Sequence, residues 1–153
     1  DRLIIKLPFY EGLRRLELLR LRKKDIDFDR KTLLINGKGN KQRVLPLHNE
    51  LASELMEYTK GLSLDGCLFP ITDRHVNEIV EKYGKIVGIR LHPHLIRHSF
   101  ASNLYKKSKN VWLVGKMLGH TKLETTVKYL RSLNIMDTEF VEEYQKAFSG
   151  ILS

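Results

Sequence analysis

One short stretch departs from the pattern of the rest of this chain, and it limits what the chain can fold into. Thr32 to Ile35 is β-branched and aliphatic, as a short strand would be. Arg43 to Leu47 alternates weakly and reads as a returning strand. Between them lies Asn36-Gly37-Lys38-Gly39-Asn40, rich in residues that accept hairpin geometry. Residues 32–47 therefore predict a β-hairpin with a Gly- and Lys-bearing tip, and Asp25 to Asp29 before it predicts a turn. Elsewhere the spacing is helical. Leu3, Ile4 and Leu7 share one period, which Pro8 should kink and Gly12 should end. Leu13, Leu16 and Leu19 continue it. Leu51, Leu55, Tyr58 and Leu62 make one apolar face, and Val76, Ile79, Val80, Tyr83 and Val87 make a cleaner one. Residues 94–106, 110–118 and 122–131 read as further helices, with Gly119 as a stop. After the N-cap residue Asp137, Phe140, Val141, Tyr144, Phe148 and Ile151 line one side of a last helix. The expected fold is mixed, mainly α with a small antiparallel β-sheet.

At 153 residues the chain has the size of one domain. No apolar run approaches the roughly 20 residues needed to cross a membrane, and no basic segment precedes an apolar run as in a secretory leader. The single cysteine, Cys67, allows no internal disulfide, which fits a reducing compartment. A net charge of +9 favours polyanions, because Lys and Arg displace counterions from a phosphate backbone.

Four islands carry the chemistry: Gly12 to Leu18, Gly37 to Arg43, His94 to His98, and Leu118-Gly119-His120 with Tyr129 nine residues beyond. His94, Arg97 and His98 share one helical face, and the last two fall inside an apolar helix with Phe100, Ala101 and Leu104. Polar groups in such a place must be paired or working. An arginine fork suits a phosphate. Arginines, a lysine, histidines and a tyrosine without a carboxylate pair point to phosphoryl transfer without a metal. Taken singly, each residue has a plainer explanation. Arg14 is compatible with a solvated helix residue, Lys38 with a polar turn, Glu17 with a surface acid and Tyr129 with a core tyrosine. His92, His94 and His98 lack the Cys or carboxylate that would complete a zinc site.

Together and in order, the islands resemble the tyrosine recombinases, or lambda-integrase family, with Xer-like members the nearest match. The first box, Thr-Gly-Leu-Arg and then Glu-Leu, stands here as Glu11-Gly12-Leu13-Arg14 and Glu17-Leu18. The hairpin box is Gly37 to Arg43 followed by Val44-Leu45-Pro46-Leu47. The third is Pro93 to Ala101. The last is Leu118 to His120 with Thr125-Thr126-Val127-Lys128-Tyr129. Glu11 replaces the usual Thr, Ile96 the usual Leu, and Arg131 a frequent His, while the stretch from Lys38 to His94 is short for the family. The resemblance covers residues 1–131.

It implies a site-specific DNA recombinase or integrase that cleaves and rejoins double-stranded DNA through a 3′-phosphotyrosine bond. Tyr129 is the implied nucleophile, His94 handles its proton, Arg14, Arg97 and His120 hold the phosphate, and Lys38 protonates the leaving 5′-oxygen. Glu17 and His98 support the site. No cofactor or metal is implied. Residues 1–153 are expected as a single catalytic domain, 1–131 its core and 132–153 a tail helix, without the family's N-terminal core-binding domain. The tail is expected to dock on a neighbouring subunit in a homo-tetramer on DNA, with a monomer when free and the helix folded back as the alternative. The cytoplasm is the expected compartment, with no membrane partner. Two other readings stay open: a type IB topoisomerase-like strand transferase, and an inactive DNA-binding module.

Overall fold

The sheet forms where the sequence changes period. Strands β2 (Thr32–Asn36) and β3 (Gln42–Pro46) pair antiparallel, with Leu33 opposite Leu45 and Ile35 opposite Arg43. Leu33, Ile35 and Leu45 are buried, while Val44 points to solvent, the alternation expected of a sheet with one covered face. The segment expected as a turn before the hairpin is partly strand. Ile26–Asp27 forms β1, which pairs with β2 and completes a three-stranded sheet in the order β1-β2-β3. A two-residue strand is too short to leave a period in the sequence. The computed structural model describes residues 1–134, so the tail helix expected after Asp137 lies outside the described residues.

Helix α1 (Arg2–Glu11) runs across Pro8 and ends at Gly12, whose left-handed backbone lets its N–H bond the Pro8 carbonyl at 3.0 Å. A Cβ at Gly12 would also collide with the Phe100 ring, so this position requires glycine twice over. Leu3, Ile4 and Leu7 are buried, with α1 packed against α5 (Pro93–Ser108). Helix α2 (Arg15–Arg20) follows directly. Helix α3 (Asn49–Tyr58) stops before Leu62, so that leucine is not on its face. Helix α4 (Asp73–Val87) buries Val76, Ile79 and Val80, but its last turn runs past the core and Val87 is 64% exposed. Helices α6 (Val111–Leu118) and α7 (Leu123–Ser132) complete the described residues.

Two cores result. The larger joins α1 and α2 to the sheet, α3, α4 and Ile96 of α5. The smaller consists of Phe100, Ala101, Tyr105, Val114, Leu118 and Leu130, from α5, α6 and α7. Helix α5 thus serves both, and Arg97 lies one residue beyond Ile96 at the seam. None of the described helices is long and apolar enough to cross a membrane.

Candidate active site

Arg14 is the N-cap of α2 rather than a residue within a helix. Its extended backbone lets Glu17 reach back. The Arg14 N–H donates to Glu17 Oε2 at 2.8 Å, and Arg14 Nη1 donates to Glu17 Oε1 at 3.2 Å. Glu17 is 4% exposed. Burial works against its charge, but two hydrogen bonds from Arg43 (2.7 and 2.9 Å) and those from Arg14 outweigh it, and its carboxyl is held below the usual range. Glu17 is therefore a charged bridge between two arginines and not a surface acid.

Arg97 is 7% exposed and spans the two cores. Its Nη1 donates to the Gly12 carbonyl and its Nη2 to the Leu118 carbonyl at 2.8 Å. Burial, then the nearby Arg14, lowers its pKa to about 10, so it stays charged at neutral pH. A guanidinium has five N–H donors, so these bonds leave donors for an anion.

His120 is presented by the end of α6. Gly119 takes a left-handed cap, and the His120 N–H bonds the Gly115 carbonyl at 2.9 Å. Its Nδ1 lies 2.9 Å from the hydroxyl of the buried Thr126. Burial, reinforced by Arg97, Arg14 and Arg43, drops its pKa to about 4. The ring is neutral at pH 7. When Thr126 donates to Nδ1, Nε2 carries the proton and can donate.

Tyr129, on α7, has a buried hydroxyl that finds no hydrogen-bond partner among the described residues. Burial raises its pKa, and Arg97 and Arg14 pull the other way. Its ring meets His98 at 5.4 Å and His120 at 5.9 Å between centroids, edge to face in both cases. The ring of His94 lies 6.5 Å from that of His98. His98 is thus the histidine of α5 whose ring meets Tyr129 edge to face, and His94 stands beyond it, exposed at the first turn of the helix. Burial and the neighbouring His94, His92 and Arg97 push the His98 pKa down.

Lys38 is exposed at the hairpin tip, in a single 3-10 turn (Lys38–Asn40). It shares an open groove with Arg14, Arg43, Lys116, His120 and Lys122. Tyr129, Arg97, His94 and His98 are not on the wall of that groove. Among the described residues no three His, Cys, Asp or Glu converge as metal ligands. Two polar side chains of the site were not singled out from the sequence, Arg43 and Thr126. Arg43 was legible only as a letter of the hairpin box, and Thr126 only as one of two threonines before Tyr129.

The Phage integrase family matches this chain over residues 1–134. A tyrosine recombinase of Pseudothermotoga lettingae is 38% identical, over 95% of this chain and 53% of its own length. Tyrosine recombinase XerA of Thermococcus kodakarensis is 34% identical, over 86% of this chain and 50% of its own. The chain spans about half the length of the curated relatives it matches. Among solved structures, the XerH site-specific recombinase bound to difH substrate, in a pre-cleavage complex, gives a TM-score of 0.75 at 33% identity, covering 84% of this chain and 42% of that one. The crystal structure of XerA recombinase gives 0.75 at 25% identity, over 92% and 55%.

Proposed function

The chain belongs to the phage integrase family, and from that premise we propose that it is the strand-cleaving part of a site-specific tyrosine recombinase acting on double-stranded DNA. The observation that carries the reading is the Tyr129 hydroxyl, buried and unpartnered beside Arg97, Arg14, His98 and His120. A buried hydroxyl without a hydrogen bond costs stability, and a reacting atom to attack is one reason to keep it.

In this reading Tyr129 Oη attacks a backbone phosphate. The Oη–P bond forms and the P–O5′ bond breaks, leaving a 3′-phosphotyrosine and a free 5′-hydroxyl. A phenol of raised pKa needs a base, and the histidines of α5 supply it. His98 lies at the ring and His94 next to it, so His94 acts through or beside His98. Arg14 and Arg97 take the charge that grows on the non-bridging oxygens, and a neutral His120 adds an Nε2–H. Lys38 swings in from the hairpin and gives its proton to the 5′-oxygen. The phosphotyrosine keeps the energy of the broken phosphodiester, and a 5′-hydroxyl from another strand reverses the step. No cofactor enters this scheme.

Residues 1–131 form the catalytic core of this domain, and DNA runs along the basic groove. The proposal extends to a homo-tetramer on paired duplexes, held by the tail of residues 132–153, whose predicted helix has Phe140, Tyr144 and Phe148 on one face. The cytoplasm, where such DNA is met, is the proposed place of action. The test is to mix the protein and its Tyr129→Phe version with nicked duplexes that trap a cleaved end. The expected result is an SDS-resistant DNA–protein adduct with the native protein and none with the variant. Tight DNA binding without any adduct would leave a binding module instead.

A further inference from the structure

Arg43 makes more specific contacts than any role in the proposed reaction requires of it. It stands on β3, opposite Ile35 of β2 and one pair below the Asn36–Gln42 pair that closes the loop, so it anchors the loop end of the hairpin that carries Lys38. Its fork holds both oxygens of Glu17, at 2.7 and 2.9 Å, and its Nε donates to the Met117 carbonyl at 3.0 Å. One guanidinium therefore joins the hairpin to the start of α2, where Arg14 is capped, and to the last turn of α6, which presents His120. Leu118, the next carbonyl of that turn, is taken by Arg97. The side chain is 14% exposed, so these bonds are largely shielded from water. The first residue of the loop also rests on this knot. A Cβ on Gly37 would lie 3.7 Å from Glu17 Oε1, and the Gly37 N–H bonds the Lys41 carbonyl at 2.8 Å. Lys38 follows immediately, exposed and facing the groove.

We infer that Arg43 is a positioning residue for Lys38: it fixes the hinge from which the hairpin tip delivers the lysine to the leaving oxygen, while Arg14, Arg97 and His120 hold the phosphate. The inference rests on the proposed cleavage reaction. In that step the electron pair of the broken P–O5′ bond stays on O5′, which takes a proton from Lys38 Nζ. If O5′ is replaced by sulfur, the leaving group is a thiolate. A thiol has a pKa of about 8.5, so it departs without that proton. A residue that works through Lys38 loses its importance on such a substrate. A residue that holds the fold or the phosphate does not.

The experiment compares two versions of one nicked duplex, first recovered from a random pool by adduct formation and then made with an ordinary or a 5′-bridging thiolate linkage. Adduct rates are measured for the native protein, Arg43→Gln, Arg43→Lys and Lys38→Ala. On the ordinary linkage Arg43→Gln is expected to lose about 100-fold, the range of a general-acid contribution. Arg43→Lys keeps a charge beside Glu17 without the fork, and is expected to lose about tenfold. Both should return to within about threefold of native on the thiolate linkage, as Lys38→Ala should. In a Lys38→Ala background, Arg43→Gln should add little, since the two act as one unit. Equal losses on both linkages, or additive losses in the double variant, would overturn the inference and leave Arg43 as a structural brace. No adduct from the native protein on either linkage would instead remove the cleavage reading itself, and this inference with it.

Discussion

The two cores meet at Arg97, and they supply different kinds of group. The side built on the larger core brings Arg14, Glu17, Lys38 and Arg43, and its buried carboxylate is held charged by two arginines. The side built on the smaller core brings His98, His120 and Tyr129, and burial there disfavours charge: His120 falls to about 4, and Tyr129 is pushed up. In the proposed reaction, one half would supply fixed positive charge for a phosphate, and the other would keep the nucleophile and its proton partners neutral until substrate arrives. The contrast follows from the chemistry of the side chains: guanidinium and ammonium groups hold their charge near neutral pH, whereas imidazole and phenol respond to burial.

The comparison breaks most visibly at the residue that belongs to both halves. Arg97→Ala is expected to cost about 3 kcal/mol of stability, since two buried carbonyls lose a charged donor. It is also expected to slow adduct formation by about 100-fold or more. Urea unfolding reads the first effect and single-turnover kinetics the second. Native stability in this variant would mean that Arg97 does not tie the two cores together.

Matched cavities sharpen the contrast next. Leu55 is fully buried in the larger core and Leu130 in the smaller. Leu55→Ala and Leu130→Ala should each cost about 3 kcal/mol in urea unfolding. Only Leu130→Ala should also slow the folded enzyme, by about tenfold, because α7 carries Tyr129 and small misplacements of a reacting group are expensive. Equal rates in the two variants would show that the smaller core is no more tightly coupled to the nucleophile than the larger.

The smallest effects are opposite pH responses. Glu11 is buried at the end of α1, and burial lifts its carboxyl from 4.5 to about 7, opposed by a hydrogen bond from the His48 N–H. The folded state therefore holds the Glu11 proton more tightly, and this contribution is full below pH 4.5 and lost as pH rises through 7. Glu11→Gln should gain on the native chain across that window. His120 behaves in the opposite sense. Its pKa falls from 6.5 to about 4, so its contribution is full above pH 6.5 and lost as pH falls toward 4. His120→Gln should lose less stability than the native chain on acidification. Unfolding curves at pH 4, 5.5 and 8 separate the two; slopes of the same sign would contradict the assignment of either group.

How much of this was legible in the sequence depends on how far apart the partners lie. The hairpin, α4, α5, α6 and α7 were readable, because periodicity and caps such as Gly119 are local. Strand β1 was not, because two residues carry no period. The N-cap seat of Arg14 was not legible, and taken alone the residue was compatible with a solvated helix position. Its spacing to Glu17 is that of a capping box, but Arg stands where Ser, Thr, Asp or Asn is usual. Arg43 was invisible as a connector because its partners lie 26 and 74 residues away. The His98–Tyr129 contact was hidden for the same reason, since it depends on how α5 and α7 pack. The family boxes named which side chains to watch, and the tertiary structure shows which of them touch.

Whether Tyr129 is the nucleophile is tested most directly by finding where DNA becomes attached. The trapped adduct would be digested with nuclease and protease, and the peptide that retains a nucleotide sequenced by mass spectrometry. A nucleotide is expected on the α7 peptide, at Tyr129 and nowhere else. A nucleotide on Tyr105, on Thr125 or on any other side chain would show that the buried hydroxyl at the seam is not the nucleophile, and the division of labour between the two cores would fall with it.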